Sequence, residues 1–194
     1  VTATNTFAAG RLTVAKVRDG DGADLWGAGP FEVTLACTDD TGTAVAIPGG
    51  ATRVLSADNN YTASYTPLLV GLSCVLDETD AGGADGATIV DGDGEPAGII
   101  TIAEDGELRL VVTNTFDVGA ITVIKTVSGD LAADHATAGF GVQLACRWQG
   151  GDITIPGGAQ RTVSVADSAQ YADLPIGALC TLTEPDSGGA SAIS

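Results

Sequence analysis

The chain repeats itself, and this repeat limits the fold more than any other feature of the sequence. The segment Gly10–Lys16 returns as Gly119–Lys125, an offset of 109 residues. Later, Cys74–Glu78 returns as Cys180–Glu184 at an offset of 106, as expected when only loops differ in length. The 194 residues therefore hold copies of one unit of about 100 residues rather than a single large domain.

The end of the first unit has a counterpart at the start of the chain. Thr4–Phe7 matches Thr113–Phe116, which closes the first unit. We therefore expect residues 1–7 to be the closing strand of a preceding repeat, 8–117 to be repeat 1, and 118–194 to be repeat 2 without its last strand. The chain then resembles a window cut from a tandem array. In the alternative, residues 1–7 of one copy complete the open second unit of another copy, which builds a filament by donor-strand exchange.

Within each unit, apolar residues alternate with polar ones, the pattern of β-strands with one buried face. Four runs show it, and their apolar faces carry Leu12 and Val14; Phe31, Val33, Leu35 and Cys37; Leu72, Cys74 and Leu76; and Leu108, Leu110, Val112 and Phe116. Turn clusters rich in Gly and Asp separate the runs, and no stretch has a helical period. The sequence therefore predicts an all-β chain of tandem immunoglobulin-like antiparallel β-sandwiches.

Composition excludes several classes of function. With 8 Lys+Arg against 25 Asp+Glu, the formal charge is −17, and such a chain repels nucleic-acid phosphates and anionic lipid. No apolar run approaches the roughly 18 residues of a membrane-spanning helix. One histidine and no clustered cysteines argue against a zinc site and against a Ser–His or Cys–His catalyst. We therefore expect no enzymatic turnover, no cofactor and no metal.

Two acidic turns, at residues 19–24 and 91–95, place carboxylates at alternate positions and so suggest calcium. Neither turn has EF-hand spacing, and neither recurs in the second unit. Solvated turns are the preferred interpretation.

Each unit contains two cysteines, and the same spacing recurs, so pairing within units is the simplest of the three connectivities. The predicted disulfides are Cys37–Cys74 and Cys146–Cys180. Each would close a loop of about 35 residues and contribute roughly 3–4 kcal/mol. The alternative is reduced cysteines buried in the core. Disulfides imply an oxidising, extracytoplasmic location.

Three polar residues share the apolar faces: Lys16 on the first strand, Glu78 midway and Asn114 on the last. A buried ion or amide costs several kcal/mol unless it is paired, so we expect the three to meet. The second unit repeats two of them as Lys125 and Glu184. The counterpart of Asn114 at the start of the chain is Asn5.

With these residues the chain resembles the Cna-B-type repeats of Gram-positive surface adhesins and pilins, and the related disulfide-bearing immunoglobulin-like repeats of actinobacterial surface proteins. The resemblance covers most of both units. It implies an intramolecular isopeptide bond between Lys16, in Leu-Thr-Val-Ala-Lys, and Asn114, in Val-Thr-Asn-Thr, with assistance from Glu78. Two features depart from the family: the disulfides, and the absence of the usual Gly-Tyr after the Glu segment.

The chemistry would be an intramolecular reaction that occurs once, favoured because the fold holds the reacting groups close together. A neutral Lys16 amine attacks the Asn114 carboxamide, which a protonated Glu78 polarises, and ammonia leaves. The alternative is a buried Lys–Glu ion pair capped by Asn. Lys125 and Glu184 can react only if another strand supplies the asparagine, as Asn5 would.

The predicted function is a structural module of an extracellular, cell-surface fibre or adhesin stalk. Its partners would be neighbouring repeats or identical subunits. The alternatives are a filament subunit assembled by strand exchange and a ligand-binding adhesin module whose host or surface ligand is unknown.

Overall fold

The computed structural model describes residues 2–4, 8–104, 106–135 and 137–190. The chain divides into two compact units, Val1–Phe116 (unit 1) and Asp117–Ser194 (unit 2). About 52% of the chain is strand and 6% is helix, which confirms the predicted all-β class. The predicted role of residues 1–7 as a closing strand falls largely on residues outside the described ones and stays a prediction.

The strands of unit 1 alternate in burial as their sequences predict. In chain order they are β1 (Ala9–Asp19), β2 (Phe31–Thr38), β3 (Ala44–Val45), β4 (Thr52–Leu55), β5 (Thr62–Leu69), β6 (Ser73–Asp80), β7 (Gly86–Val90), β8 (Ile100–Thr101) and β9 (Glu107–Thr115). A four-residue helix α1 (Ala23–Trp26) follows β1, and a single turn of 3-10 helix covers Ala57–Asn59.

Two sheets build unit 1. The first has the order β5-β1-β9-β7, in which β1 and β9 run parallel and the other neighbours antiparallel. The second has β2 at its centre, with β6 and then β8 on one side and with β3 and β4 on the other. The hydroxyl of Tyr65 on β5 donates to the carbonyl of Val33 on β2, so the sheets face each other across the buried side chains.

The core of unit 1 lies between these sheets. It contains the predicted apolar faces, apart from the half-buried Leu108, and four side chains that the alternation did not assign to it, Leu55, Tyr65, Leu68 and Ile102. Burial of these side chains between the two sheets is the main stabilising contribution of the strands, at about 25 cal/mol per Å² of apolar surface removed from water.

Unit 2 repeats the first six strands. They are β10 (Val118–Val123), β11 (Phe140–Trp148), β12 (Gly151–Ile153), β13 (Gln160–Val163), β14 (Ala169–Pro175) and β15 (Leu179–Asp186), with a 3-10 turn at Ala132–His135. Strand β10 pairs with β14, and β11 pairs with β12, β13 and β15. Within the described part of unit 2, no strands correspond to β7, β8 and β9.

The disulfides lie within sheets. Cys37 and Cys74 are bonded and are cross-strand partners on β2 and β6. Cys146 and Cys180 are bonded at the equivalent place on β11 and β15. The bridges close loops with sequence separations of 37 and 34 residues, and each holds two adjacent strands of one sheet in register.

An arginine fastens the Pro-Gly-Gly loop of each unit. The guanidinium of Arg53 donates to the carbonyls of residues 48–50 and lies 4.6 Å from the ring centre of Tyr65. Arg161 makes the same contacts with residues 156–158 and lies 5.0 Å from the ring of Tyr171. Backbone carbonyls at a tight turn lack strand partners, and the arginine supplies the missing donors. This role of the arginines was not predicted.

No helix among the described residues is long and apolar enough to cross a membrane.

Candidate functional site

The structure brings together the three predicted site residues of unit 1. Lys16 comes from β1, Glu78 from β6 and Asn114 from β9. The Lys16 Nζ donates to Glu78 Oε1 at 2.6 Å, and Asn114 Nδ2 donates to the same oxygen at 3.1 Å. One carboxylate oxygen therefore contacts both the amine and the carboxamide nitrogen.

The adjacency of the first and last strands produces this arrangement. Because β1 and β9 are parallel neighbours, their inward side chains line one face of the same sheet. Lys16 lies opposite Val112, and Asn114 lies opposite Arg18. The lysine and the asparagine are thus two positions apart along adjacent strands, and Glu78 reaches them from the facing sheet.

The cluster is dry. The side chain of Lys16 is 0% exposed, that of Glu78 is 5% exposed, and Asn114 is fully buried. Burial lowers the pKa of Lys16, although the hydrogen bond and the negative charge of Glu78 act in the opposite direction. Burial thus raises the fraction of Lys16 present as the neutral amine, which is the nucleophilic form of lysine.

Aromatic rings form the wall of the site. The ring centre of Phe31 lies 4.6 Å from Nζ of Lys16, and Phe116 packs against Phe31 with 6.2 Å between ring centres. These rings exclude water and present a π-face to the amine. The sequence analysis placed both residues in the core without a role at the site. The sequence feature that could have indicated this role is the recurrence of phenylalanine at the start of the equivalent strand in each unit, Phe31 and Phe140.

A short loop after β6 completes the site. The carbonyl of Ala81 accepts a second hydrogen bond from Asn114 Nδ2, at 2.9 Å. Gly82 has φ +60°, and a Cβ at this position would lie 2.8 Å from the Phe31 ring. A side chain here would displace the ring beneath Lys16, so glycine is required both by its backbone conformation and by the close approach.

Two buried atoms of the cluster lack partners. Among the described residues, neither Glu78 Oε2 nor Asn114 Oδ1 has a hydrogen-bond partner. Both are acceptors, and an unsatisfied buried acceptor costs about 1–3 kcal/mol.

Within its described residues, unit 2 repeats the lysine, glutamate and phenylalanine of this site without an asparagine. Lys125 Nζ lies 2.7 and 2.8 Å from the two carboxylate oxygens of Glu184, and it lies 4.4 Å from the ring centre of Phe140. The two side chains are 17% and 13% exposed, so water reaches this pair more than it reaches the pair in unit 1. The proposed crosslink residue Asn5 lies outside the described residues.

The acidic turns use their carboxylates locally. Asp91 Oδ1 accepts the backbone N–H groups of Asp93 and Glu95, and Asp19 Oδ1 accepts the N–H of Gly20. Within the described residues, no group of three or more His, Cys, Asp or Glu residues could hold a metal ion.

A family model described as "Domain of unknown function (DUF5979)" matches residues 12–117 and again residues 121–193. The chain belongs to this family. Each match covers one of the two units, so the family domain and the repeat are the same element. No curated protein sequence matches the chain.

Solved structures share the fold. The major pilin protein T-13 of Streptococcus pyogenes aligns with 94% of this chain and 84% of its own, at 14% identity and a TM-score of 0.50. Two B repeat units of the collagen-binding protein Cna of Staphylococcus aureus align with 90% of this chain at 20% identity and a TM-score of 0.34. The major pilin T3.2 of Streptococcus pyogenes aligns with 57% of this chain at 22% identity and a TM-score of 0.38.

The chain spans 44% of the Cna fragment and 46% of the T3.2 pilin. At these sequence identities the comparisons support a similar fold and no more, and that support rests on the T-13 pilin. The expected immunoglobulin-like sandwich is thereby confirmed, whereas the actinobacterial resemblance stays a prediction.

Proposed function

We propose that this chain is a structural repeat module of an extracellular surface fibre or adhesin stalk, in which a disulfide and a Lys–Asn isopeptide bond crosslink the complete unit. The observation that carries the proposal is the shared carboxylate oxygen, since Glu78 Oε1 contacts both Nζ of Lys16 and Nδ2 of Asn114. A structural ion pair needs the first contact alone. The second contact places the base beside the group that would leave.

The reaction needs no external reagent. The neutral Lys16 amine attacks Cγ of Asn114, a C–N bond forms, and the bond from Cγ to Nδ2 breaks. Glu78 Oε1 accepts a proton from the amine and returns it to Nδ2, which leaves as ammonia. The residues react once and do not turn over, so the module is not an enzyme. The lowered pKa of Lys16 supports the step because it favours the unprotonated amine.

The predicted surface location has several supports. The two disulfides fit an oxidising compartment, and the charge of −17 keeps an exposed repeat soluble. The structures of similar fold come from pilins and from a collagen-binding surface protein. A bond between the first and last strands would also give a stalk resistance to force and to proteolysis. The partners under this proposal are neighbouring repeats of the same chain or identical subunits.

The decisive experiment is the intact mass of the full chain, measured with and without reductant. With reductant, when all cysteines carry their hydrogens, we expect a mass below the sequence mass by one ammonia, about 17 Da. Without reductant, the disulfides should lower the mass further by the hydrogens that they lack. Peptide mapping should find the segments containing Lys16 and Asn114 joined. A chain at its full sequence mass would contradict the bond.

Matched variants connect the mass deficit with the site. Glu78→Gln keeps the size of the side chain but cannot accept the proton, so the full mass should return. Glu184→Gln, the same change in unit 2, should leave the deficit unchanged. A deficit that survives Glu78→Gln would remove the carboxylate from the mechanism.

A further inference from the structure

A row of cationic and aromatic side chains leads away from the reactive lysine of unit 1. Nζ of Lys16 lies over the ring of Phe31, and the ring centre of Tyr61 lies 6.2 Å from that of Phe31. The guanidinium of Arg18 lies 4.8 Å from the ring centre of Tyr61 and is half-buried. Two rings thus stand in contact between two cations, of which only Lys16 belongs to the cluster described above.

Arg18 and Tyr61 fasten the segment between β1 and β2, residues 20–29, which we call the lid. Nη1 of Arg18 donates to two carbonyl groups of the lid, the nearer being that of Gly27 at 3.3 Å. The hydroxyl of Tyr61 donates to the carbonyl of Ala28 at 3.1 Å. Two side chains from outside the lid therefore bind three of its backbone oxygens.

The lid packs against both rings of the aromatic wall. A Cβ at Gly27 would lie 2.8 Å from the ring of Phe116, and a Cβ at Gly29 would lie 2.8 Å from the ring of Phe31. The N–H of Gly22 donates to the carbonyl of Phe116 at 2.8 Å. Such close approaches require glycine. The lid therefore covers the two rings that exclude water from the amine.

The backbone that presents Tyr61 is strained. Asn60 and Tyr61 have φ values of 53° and 55°, in the left-handed region that residues with side chains rarely adopt. The carbonyl of Tyr61 accepts the N–H of Lys16 at 2.8 Å. Strained residues persist where the surrounding structure requires their position, and they are frequent at functional sites. The strain indicates that the place of this ring between Arg18 and Phe31 matters.

The clamp on the lid is found in unit 1 and is not repeated in unit 2. At the repeat offset of 109, Val127 takes the position of Arg18, and the pairing of β10 with β14 places Asp167 at the position of Tyr61. The clamp that Arg53 makes on the Pro-Gly-Gly loop is, by contrast, present in both units. The strands common to the two units thus form without the clamp on the lid, which points to a role other than folding.

We propose that Arg18 and Tyr61 are positioning residues that hold residues 20–29 closed as a lid over the aromatic wall, so that water is kept from the Lys16 amine. The value of a dry amine rests on the function proposed above, whereas the seal can be tested without the crosslink. An open lid would hydrate the amine, favour its ammonium form and slow its attack on Asn114.

The seal is tested in the full chain carrying Asn114→Ala, which leaves the Lys16 amine free. The chain has only two lysines, so acetylation by acetic anhydride, located by peptide mass mapping, reports Lys16 with Lys125 as its internal reference. We expect Arg18→Met and Tyr61→Ala each to raise the acetylation rate of Lys16 relative to Lys125 about tenfold or more, because a shielded group reacts only when its shield opens.

Matched variants separate the seal from a general loss of stability. Arg53→Met removes the same kind of clamp, a guanidinium stacked on a tyrosine and bound to loop carbonyls, at the Pro-Gly-Gly loop. It should leave the acetylation ratio unchanged even where it lowers the denaturant midpoint as much as Arg18→Met does. Tyr61→Phe keeps the ring and should retain most of the protection that Tyr61→Ala loses. An unchanged ratio in Arg18→Met and Tyr61→Ala, or an equal rise in Arg53→Met, would overturn the seal.

The effect on the reaction is measured in the chain that keeps Asn114. Intact masses at timed intervals after cell-free synthesis give the rate of ammonia loss, which should fall severalfold in Arg18→Met and stay at the parent value in Arg53→Met. A rise in acetylation without a fall in this rate would overturn the positioning role of Arg18 in the reaction. A parent chain that loses no ammonia would contradict the function proposed above, and the acetylation ratio would then decide the seal by itself.

Discussion

The two units share six strands, a disulfide, an arginine-fastened loop and a Lys–Glu pair, but they differ in what covers the pair. In unit 1, β9 lies against β1, and both Lys16 and Leu76 are buried. In the described part of unit 2, no strand takes this place, and the counterparts Lys125 and Leu182 are partly exposed. The comparison shows that the dry environment of the site in unit 1 depends on the strand that carries Asn114.

The largest expected difference between the units concerns the lysines. Lys16→Ala leaves Glu78 buried without its cation and should destabilise unit 1 by about 3–5 kcal/mol, apart from any crosslink lost. Lys125→Ala should cost unit 2 about 1–2 kcal/mol, since water reaches Glu184. Urea unfolding followed by tryptophan fluorescence can measure this, because each unit has a single tryptophan, Trp26 or Trp148. Equal losses in the two units would contradict the difference in burial.

The disulfides should show which unit depends more on its crosslink. Their loops are similar in length, so removing either pair by Cys→Ala should cost about 3–4 kcal/mol. Unit 2 has the smaller core, and we expect the Cys146→Ala/Cys180→Ala chain to lose its unit 2 fold, while Cys37→Ala/Cys74→Ala keeps a folded unit 1. Hydrogen exchange read separately for each unit is the measurement. If reduction unfolded unit 1 alone, then unit 1, and not unit 2, would be the unit that depends more on its disulfide.

A matched pair of leucines measures the difference in burial between the two units. Leu76→Ala creates a cavity in a closed core and should cost about 2–4 kcal/mol. Leu182→Ala removes a side chain that is 42% exposed and should cost less than about 1 kcal/mol. Denaturant midpoints of the two variants and of the parent chain test this, and equal losses in the two units would contradict the difference in exposure.

The smallest expected effect is a pH dependence of unit 1. Burial raises the pKa of Tyr65 to about 12, although the nearby charge of Arg53 acts in the opposite direction. Because the folded-state pKa lies above the usual value near 10, the phenol's contribution to stability is complete below pH 10 and is lost as the pH rises towards 12. Tyr65→Phe should therefore flatten the alkaline loss of stability between pH 10 and 12. An unchanged slope, from urea titrations at several pH values, would show that Tyr65 is not responsible.

Much of unit 1 could be predicted because alternation reports burial directly. The inward faces of β1, β2 and β6 are buried as their sequences predict, and Lys16, Glu78 and Asn114 meet because each lies on such a face. The repeat added the division into units and the pairing of cysteines. These features depend on local pattern and on the comparison of two copies, which a single sequence contains.

Other parts of the site depend on positions far apart in the chain and have no local signal. The fastening of the Pro-Gly-Gly loop by Arg53, the ring of Phe31 beneath Lys16 and the anchoring of Asn114 by the Ala81 carbonyl are of this kind. The short helix α1 was also not predicted, since four residues are too few to show a helical period.

The sequence by itself determined that this chain is a repeated β-protein with two cysteines in each unit and with a lysine, a glutamate and an asparagine turned inward, because period-two alternation and self-similarity can be recognised along the chain without the tertiary structure. The tertiary structure decided which of those inward groups contact the same atom. A single oxygen of Glu78 contacts the nitrogens of both Lys16 and Asn114, because β1 and β9 are parallel neighbours in one sheet and β6 faces them from the other. The structure also decided that the Lys–Glu pair of unit 2 is more exposed than the pair of unit 1, since exposure depends on which strands pack against a face.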